Sequence, residues 1–377
     1  MTEGQPVQQA QPAAPATPSA VPSHNPKGPF EATVLFNKPL HQKFYRLGLQ
    51  FSGHGAEAFA KTRPGQFAQF DLSNIALPAT EAIPEELQDA AARQILLRRP
   101  FSFARVAKEA ISSAHPAAGP SIHPAVHPST GSAVPTTGSP VIAKTVPHGT
   151  GKIIVEVVYC VLGPATLRMT TLVKGNSINI IGPLGNGFTV PAGKKRALLV
   201  AGGMGSPPLE HLAQVLTAEH PTMDAIAFAG AKTKEDLPFE KPLDNLSREI
   251  GFWLKEFGRY SISSFVATDD GSVGFKGFVS ACIVDWLSQN ALTFNPAEAI
   301  IYACGPRSML TTIAKLARDK KIDCQISMEE MMACGIGLCQ SCAVKCKAPV
   351  GGKAPTGEVY KLCCKDGPVF DAKEIVF

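Results

Sequence analysis

The sequence predicts a multidomain protein: an antiparallel β-barrel, then an α/β domain with a parallel sheet, then a small C-terminal module built around cysteines. Three observations carry this. Short apolar segments broken by Gly and Pro fill the first half. From residue 196, apolar runs alternate with helical stretches. Eight of the ten cysteines lie beyond residue 300.

Length and composition set the frame. At 377 residues with 45% hydrophobic content, the chain can bury two or three cores. The net charge of +5, from 36 basic and 31 acidic residues, is spread without a concentrated basic stripe and argues against nucleic acid. No apolar run approaches the roughly 18 residues of a membrane helix. The N-terminus lacks the basic start and apolar core of a secretory signal, so a cytoplasmic protein is expected. Cysteines crowded at one end suit metal or redox chemistry better than disulfides.

Residues 1–28 are rich in Ala, Pro and Gln and predict a disordered tail. The barrel domain is expected over 29–192, from "EATVLFN", "KFYRLGLQF", "GQFAQFDL", "KIIVEVVYCVL" and "SINIIG". A low-complexity insertion interrupts it at about 107–150. It carries His115, His123, His127 and His148, which read as part of a Pro-rich loop, since nothing fixes a ligand geometry. The α/β domain is expected over 193–326. Its strands are "RALLVAGG", "DAIAFAG", "SSFVATDD" and "EAIIYACGP"; its helices include "PPLEHLAQVLTAEH" and "RSMLTTIAKLARDK". Residues 327–377 form the cysteine module.

Within that module, Cys334, Cys339 and Cys342 follow the C-x4-C-x2-C spacing of [2Fe–2S] ligands, with the fourth thiolate farther along. Gly335 and Gly337 let the loop approach a cluster closely. Structural zinc favours paired knuckles instead. By spacing alone the fourth ligand is Cys346, Cys363 or Cys364.

Two glycine turns follow strands of the α/β domain. Gly202, Gly203 and Gly205 precede a helix, as do Cys304, Gly305 and Pro306, which suits a nicotinamide nucleotide at the carboxyl edge of an open sheet. Lys232 and Lys234 read either as contacts to a 2′-phosphate or as a solvated loop; NAD is the expected carrier. In "LLRRPFSF", Arg99 can pair with a pyrophosphate, Phe101 can cover a flavin ring and Ser102 can bond its edge. A flavin makes sense between a one-electron cluster and a two-electron nicotinamide.

From about residue 30 onward, the chain resembles the electron-transfer subunit of NAD-dependent (type B) dihydroorotate dehydrogenase, within the ferredoxin reductase superfamily. "PGQF", "LLRRPFSF", "GPLGNGF", "LLVAGGMGSPPL", "VATDDGSVGFKGFV", "YACGPRSML", "SMEEMMACGIGLC" and "CKDGPVFDA" carry the resemblance. It implies a barrel for FAD, a nucleotide domain for NAD and a [2Fe–2S] domain. It also selects Cys364, which stands one residue before Asp-Gly-Pro, as the fourth ligand.

The FAD contacts it implies are Arg99, Pro100, Phe101, Ser102, Val158, Tyr159, Cys160, Ala165 and Thr166. Phe101 replaces a common aliphatic, Cys160 a usual Arg, and Ala165 the Gly of a Gly-Thr pair. The lost cation removes a charged contact worth about 1.5–3 kcal/mol. The implied activity passes electrons from the FMN of a partner dehydrogenase, through cluster and FAD, to NAD⁺ in pyrimidine (UMP) synthesis, with a two-plus-two heterotetramer. Two other readings fit the same modules: an NAD(P)H–ferredoxin-type reductase, and a redox-responsive [2Fe–2S] binding protein without flavin. Orotate-dependent NADH oxidation separates the first; the visible spectrum separates the second.

Overall fold

A computed structural model describes residues 28–108, 151–240, 254–348 and 357–377. The N-terminal tail up to residue 27, and the low-complexity tract from residue 109 with its four histidines, lie outside the described residues.

The first sheet contains β1 (Gly28–His41), β2 (Phe44–Phe51), β3 (Phe67–Phe70), β4 (Arg99–Ser102), β5 (Arg105–Lys108), β6 (Ile153–Cys160) and β7 (Ser177–Leu184), in the order β4-β3-β7-β1-β2-β6-β5. Every pairing is antiparallel. The expected barrel is a half-barrel: no ladder joins β4 to β5 among the described residues, so the sheet curls without closing. Its core alternates along the strands, with Leu47, Leu49 and Phe51 from β2 and Val155, Val157 and Tyr159 from β6. The apolar run of β6 does not alternate cleanly with polar residues because its other face is also covered. That face carries Glu156 and meets the α/β domain.

The second sheet contains β8 (Arg196–Gly202), β9 (Asp224–Ala231), β10 (Ser263–Thr268), β11 (Phe275–Lys276), β12 (Ala299–Cys304) and β13 (Asp323–Ser327), all parallel. The helix Ser206–Glu219 packs Leu209, Leu212 and Leu216 on one face. Helices Val279–Gln289 and Arg307–Lys320 cover the other with Ile283, Trp286, Leu310 and Ile313.

The C-terminal module adds a hairpin of β14 (Ala343–Lys347) and β15 (Glu358–Leu362), and then β16 (Val369–Asp371). Strand β16 pairs antiparallel with β13 and extends the nucleotide sheet. Cys342, Val344, Cys346 and Cys363 share one apolar core with Leu198 and Ile301 of that sheet. The module is therefore mounted on the α/β domain by both a ladder and a core.

Barrel and α/β domain meet through a buried ionic clasp. Arg46 Nη1 donates to Glu156 Oε2 at 3.0 Å and to Glu210 Oε1 at 2.9 Å, and its Nη2 donates to Glu210 Oε2 at 2.8 Å. Glu256 approaches the same guanidinium at 3.8 Å. Arg105 holds the other oxygen of Glu156 at 2.8 Å, and Arg259 lies 3.5 Å from Glu210. Beside the clasp, Gln214 exchanges two hydrogen bonds with the backbone of Val106, at 3.1 and 2.6 Å. At the other end of the contact, His41 Nε2 meets the Leu237 carbonyl and Lys43 pairs with Asp236 at 3.1 Å.

Candidate redox centre and nucleotide sites

The cysteine loop follows β13, and its thiols stand in two pairs. The Cys334 sulfur accepts from the backbone N–H groups of Leu338 and Cys339, both at 3.4 Å. The Cys342 sulfur accepts from the N–H of Cys364, also at 3.4 Å. Among the described residues no three His, Cys, Asp or Glu side chains gather as one bound ion requires. Four thiols linked in pairs through these backbone contacts supply the four thiolates that a [2Fe–2S] cluster takes.

The thiols differ in charge preference. The Ser341 hydroxyl beside Cys339, with backbone donors, lowers that thiol to about 6. Burial, and the neighbouring Cys342, push Cys364 up to about 12.

The two other spacing candidates are occupied elsewhere. Cys363 is fully buried and its thiol donates to the Met328 carbonyl at 3.4 Å. Cys346 is fully buried opposite Val359 in the hairpin. The donor set, its pairing and the open backbone of the loop fit a [2Fe–2S] group.

Two motifs meet behind the loop. Asn186, from "GPLGNGF", donates to the carbonyls of Asp366 and Val369 at 2.9 and 2.8 Å and accepts from Val369 N–H at 2.9 Å. These bonds fix "CKDGPVFDA", and with it Cys364, against the end of β7.

The two glycine turns lie side by side because β8 and β12 are adjacent, with Ala201 opposite Cys304. A Cβ on Gly205 would come within 2.7 Å of Gly305 N, and one on Gly305 within 2.9 Å of Gly202 Cα. Only glycine permits this contact between the two turns. Gly203 forms the bend between Gly202 and Gly205, and Pro306 stands at the N-cap position of the next helix.

Cys304 donates to Glu329 Oε1 at 3.7 Å. Burial, then the Glu329 charge, raise its thiol well above the ordinary value. Glu329 is exposed as a residue, yet its carboxyl turns to Cys304, where the surrounding protein raises its pKa. Sequence reasoning missed Glu329; it stands 25 positions from Cys304 and no spacing rule links them. Lys232 is exposed just past β9, and Lys234 lies in a turn 4.0 Å from Glu235.

A cavity of about 300 Å³ opens at the barrel edge, lined by Arg99, Pro100, Phe101 and Leu162 to Thr166. It unites two segments singled out in the sequence. Arg99 Nη1 donates to the Leu97 and Arg98 carbonyls and has no carboxylate partner among the described residues. Thr166 Oγ1 accepts from the N–H groups of Leu162 and Gly163, shaping the cavity wall. Phe101 packs against Phe70 and Tyr159, with ring centroids 4.9 and 6.5 Å away.

Val158, Tyr159 and Cys160 are buried in β6 and do not line the cavity; Ser102 ends β4 beside it. Burial pushes the Cys160 thiol up to about 11, partly offset by Lys43 in the turn between β1 and β2. Arg99, with no carboxylate partner among the described residues and beside an open cavity, fits an anionic dinucleotide.

Comparison with known proteins follows these landmarks. Residues 329–376 match the iron–sulfur cluster binding domain of dihydroorotate dehydrogenase B, and residues 199–315 match an oxidoreductase NAD-binding domain. The chain is 30% identical over 348 residues to the electron transfer subunit of dihydroorotate dehydrogenase B (NAD(+)) from a Geobacillus species, covering 92% of this chain and 98% of the relative. The chain belongs to this family. The corresponding subunit from Caldanaerobacter subterraneus is 34% identical over 59% of this chain and 75% of its own. A solved NADH-dependent reduced ferredoxin–NADP oxidoreductase superposes with a TM-score of 0.54 at 20% identity, over 92% of this chain and 89% of that one. This dihydroorotate dehydrogenase B family member thus has a ferredoxin reductase-like fold: a curled antiparallel half-barrel, a parallel nucleotide sheet and an iron–sulfur module. No helix among its described residues is long and apolar enough to cross a membrane.

Proposed function

We infer that this chain is the electron-transfer subunit of a cytoplasmic type B dihydroorotate dehydrogenase. It receives electrons from the FMN of a partner catalytic subunit and delivers them to NAD⁺, in de novo pyrimidine (UMP) synthesis, within a two-plus-two heterotetramer. The observation that carries this is the set of four thiols in two pairs, mounted on the nucleotide sheet of a chain related to such subunits over nearly their whole length.

Cys334, Cys339, Cys342 and Cys364 hold a [2Fe–2S] cluster. Arg99 to Ser102, Ala165 and Thr166 form the FAD site, with Arg99 toward the pyrophosphate, and Val158 to Cys160 back it from within β6 rather than lining it. Gly202, Gly203 and Gly205, with Cys304, Gly305 and Pro306, flank the nicotinamide nucleotide. The cluster exchanges single electrons, the flavin one or two, and the nicotinamide a hydride. Acid–base chemistry on dihydroorotate belongs to the partner.

Co-expression with an FMN-containing partner tests this. Iron, acid-labile sulfide and FAD in the purified complex, with orotate-dependent NADH oxidation, are expected. Zinc in place of iron and sulfide, or a monomer with no such partner, overturns it.

A further inference from the structure

One polar side chain in the barrel has no structural role of its own. Gln69 lies in β3, is fully buried, and neither its Nε2 nor its Oε1 has a hydrogen-bond partner among the described residues. A buried primary amide left unpaired is costly, so a retained one points to a missing partner. Strand alternation gives its direction. Ala68 and Phe70 enter the barrel core, whereas Phe67 packs in the core that also contains Cys342, Cys363 and Cys364. Gln69 shares the side of Phe67.

It meets the cysteine loop there. A Cβ built on Gly335 would come within 2.6 Å of Gln69 Cγ and 2.8 Å of its Cδ, so the amide lies directly against that backbone. Gly335 follows Cys334, and its φ of 71° bends the loop around the Cys334 sulfur.

We propose that Gln69 is a positioning residue of the iron–sulfur centre, its carboxamide N–H reaching from the barrel to a sulfur at the Cys334–Cys339 edge. The proposal rests on the cluster assignment above. A donor aimed at a cluster sulfur favours the reduced, more negative state and raises the reduction potential. One such bond changes the reduced-to-oxidised ratio by about tenfold, or about 59 mV for one electron.

The test uses the full chain with its partner, prepared anaerobically, as wild type, Gln69→Leu and Gln69→Glu. Iron, sulfide and FAD are assayed, and cluster and flavin potentials are titrated separately, the cluster by paramagnetic resonance. The expected result is full cofactor content in both variants, with a cluster potential about 59 mV lower in Gln69→Leu and at least as low in Gln69→Glu. Should Gln69→Leu lose the cluster, the near-isosteric Gln69→Glu carries the measurement. An unchanged cluster potential overturns the proposal, as does a shift confined to the flavin or loss of the cluster from both variants. Wild-type protein without iron and sulfide would bring down the functional reading as well; an intact cluster with unmoved potential brings down only the role of Gln69.

Discussion

Replacing Arg46 by methionine is the most demanding test of how the two large domains are joined. Arg46 donates three short hydrogen bonds to Glu156 and Glu210, in a place where all three side chains are nearly excluded from water. Methionine fills similar volume but leaves two carboxylates without that cation. Breaking a buried pair by removing one partner costs about 3–5 kcal/mol. The low end applies here, about 3 kcal/mol, because Arg105 still holds Glu156 at 2.8 Å and Arg259 still lies 3.5 Å from Glu210. Urea unfolding followed by circular dichroism measures it; guanidinium is avoided because its ions screen the charges under test. A double-mutant cycle with Glu210→Gln isolates the pair and should return a coupling of about 1.5–3 kcal/mol. A loss below about 1 kcal/mol, the range of solvent-exposed pairs, would refute the reasoning, because it would mean that water reaches the clasp.

The remaining expectations concern the sites and pH. Cys364→Ala should abolish iron and sulfide content, whereas Cys363→Ala should keep both and lose only stability; chemical assay with the visible spectrum compares them. Gly205→Ala drives a methyl group into the Cys304 carbonyl and to within 2.7 Å of Gly305 N, a backbone clash costing about 3 kcal/mol or more. It should weaken NADH binding about tenfold by calorimetry while leaving flavin and iron content unchanged. Thr166→Val removes the acceptor for Leu162 and Gly163 N–H and should cost about 1 kcal/mol of local order, read as faster FAD loss by fluorescence. Burial raises the Glu156 carboxyl, but Arg105 and Arg46 outweigh that and hold it below its ordinary 4.5. Its contribution is therefore complete above pH 4.5 and lost as pH falls through the depressed folded value. Wild-type stability should drop more steeply below that point than that of Glu156→Gln, by urea midpoints across the acid range.

Local pattern made much of the molecule legible. "RSMLTTIAKLARDK" coincides with the helix Arg307–Lys320, and the four apolar runs after residue 196 all lie in the parallel sheet. These signals are periodic and complete within a dozen residues. What escaped was non-local. Strand β16 has three residues and no period of its own; it becomes a strand only because β13 presents an open edge. Arg46, Glu156, Glu210 and Glu256 are spread over more than half the chain, so no local pattern links them. Gln69 looked like one polar position in a strand, since nothing in "GQFAQFDL" says that both faces of that strand are covered. The opening of the barrel was equally hidden, because strand content does not encode closure.

The two boundaries around the nucleotide sheet differ in kind, and this bears on how electrons can be handed along. The cysteine module joins the sheet through a backbone ladder at β13–β16 and a continuous apolar core, where separation would expose Cys342, Val344, Cys346 and Cys363. The half-barrel joins the same sheet through charged and polar contacts of Arg46, Lys43 and Gln214, and through Phe67 and Leu184, which enter the shared apolar core beside the cysteines. Polar interfaces between domains permit relative motion more readily than large apolar ones. The cluster ligands and the nucleotide turns are therefore carried by one sheet, and the candidate flavin cavity lies in the half-barrel. Because Gln69 and the Asn186 end of β7 cross from the half-barrel to the cysteine loop, any adjustment between half-barrel and sheet must pivot close to the thiols.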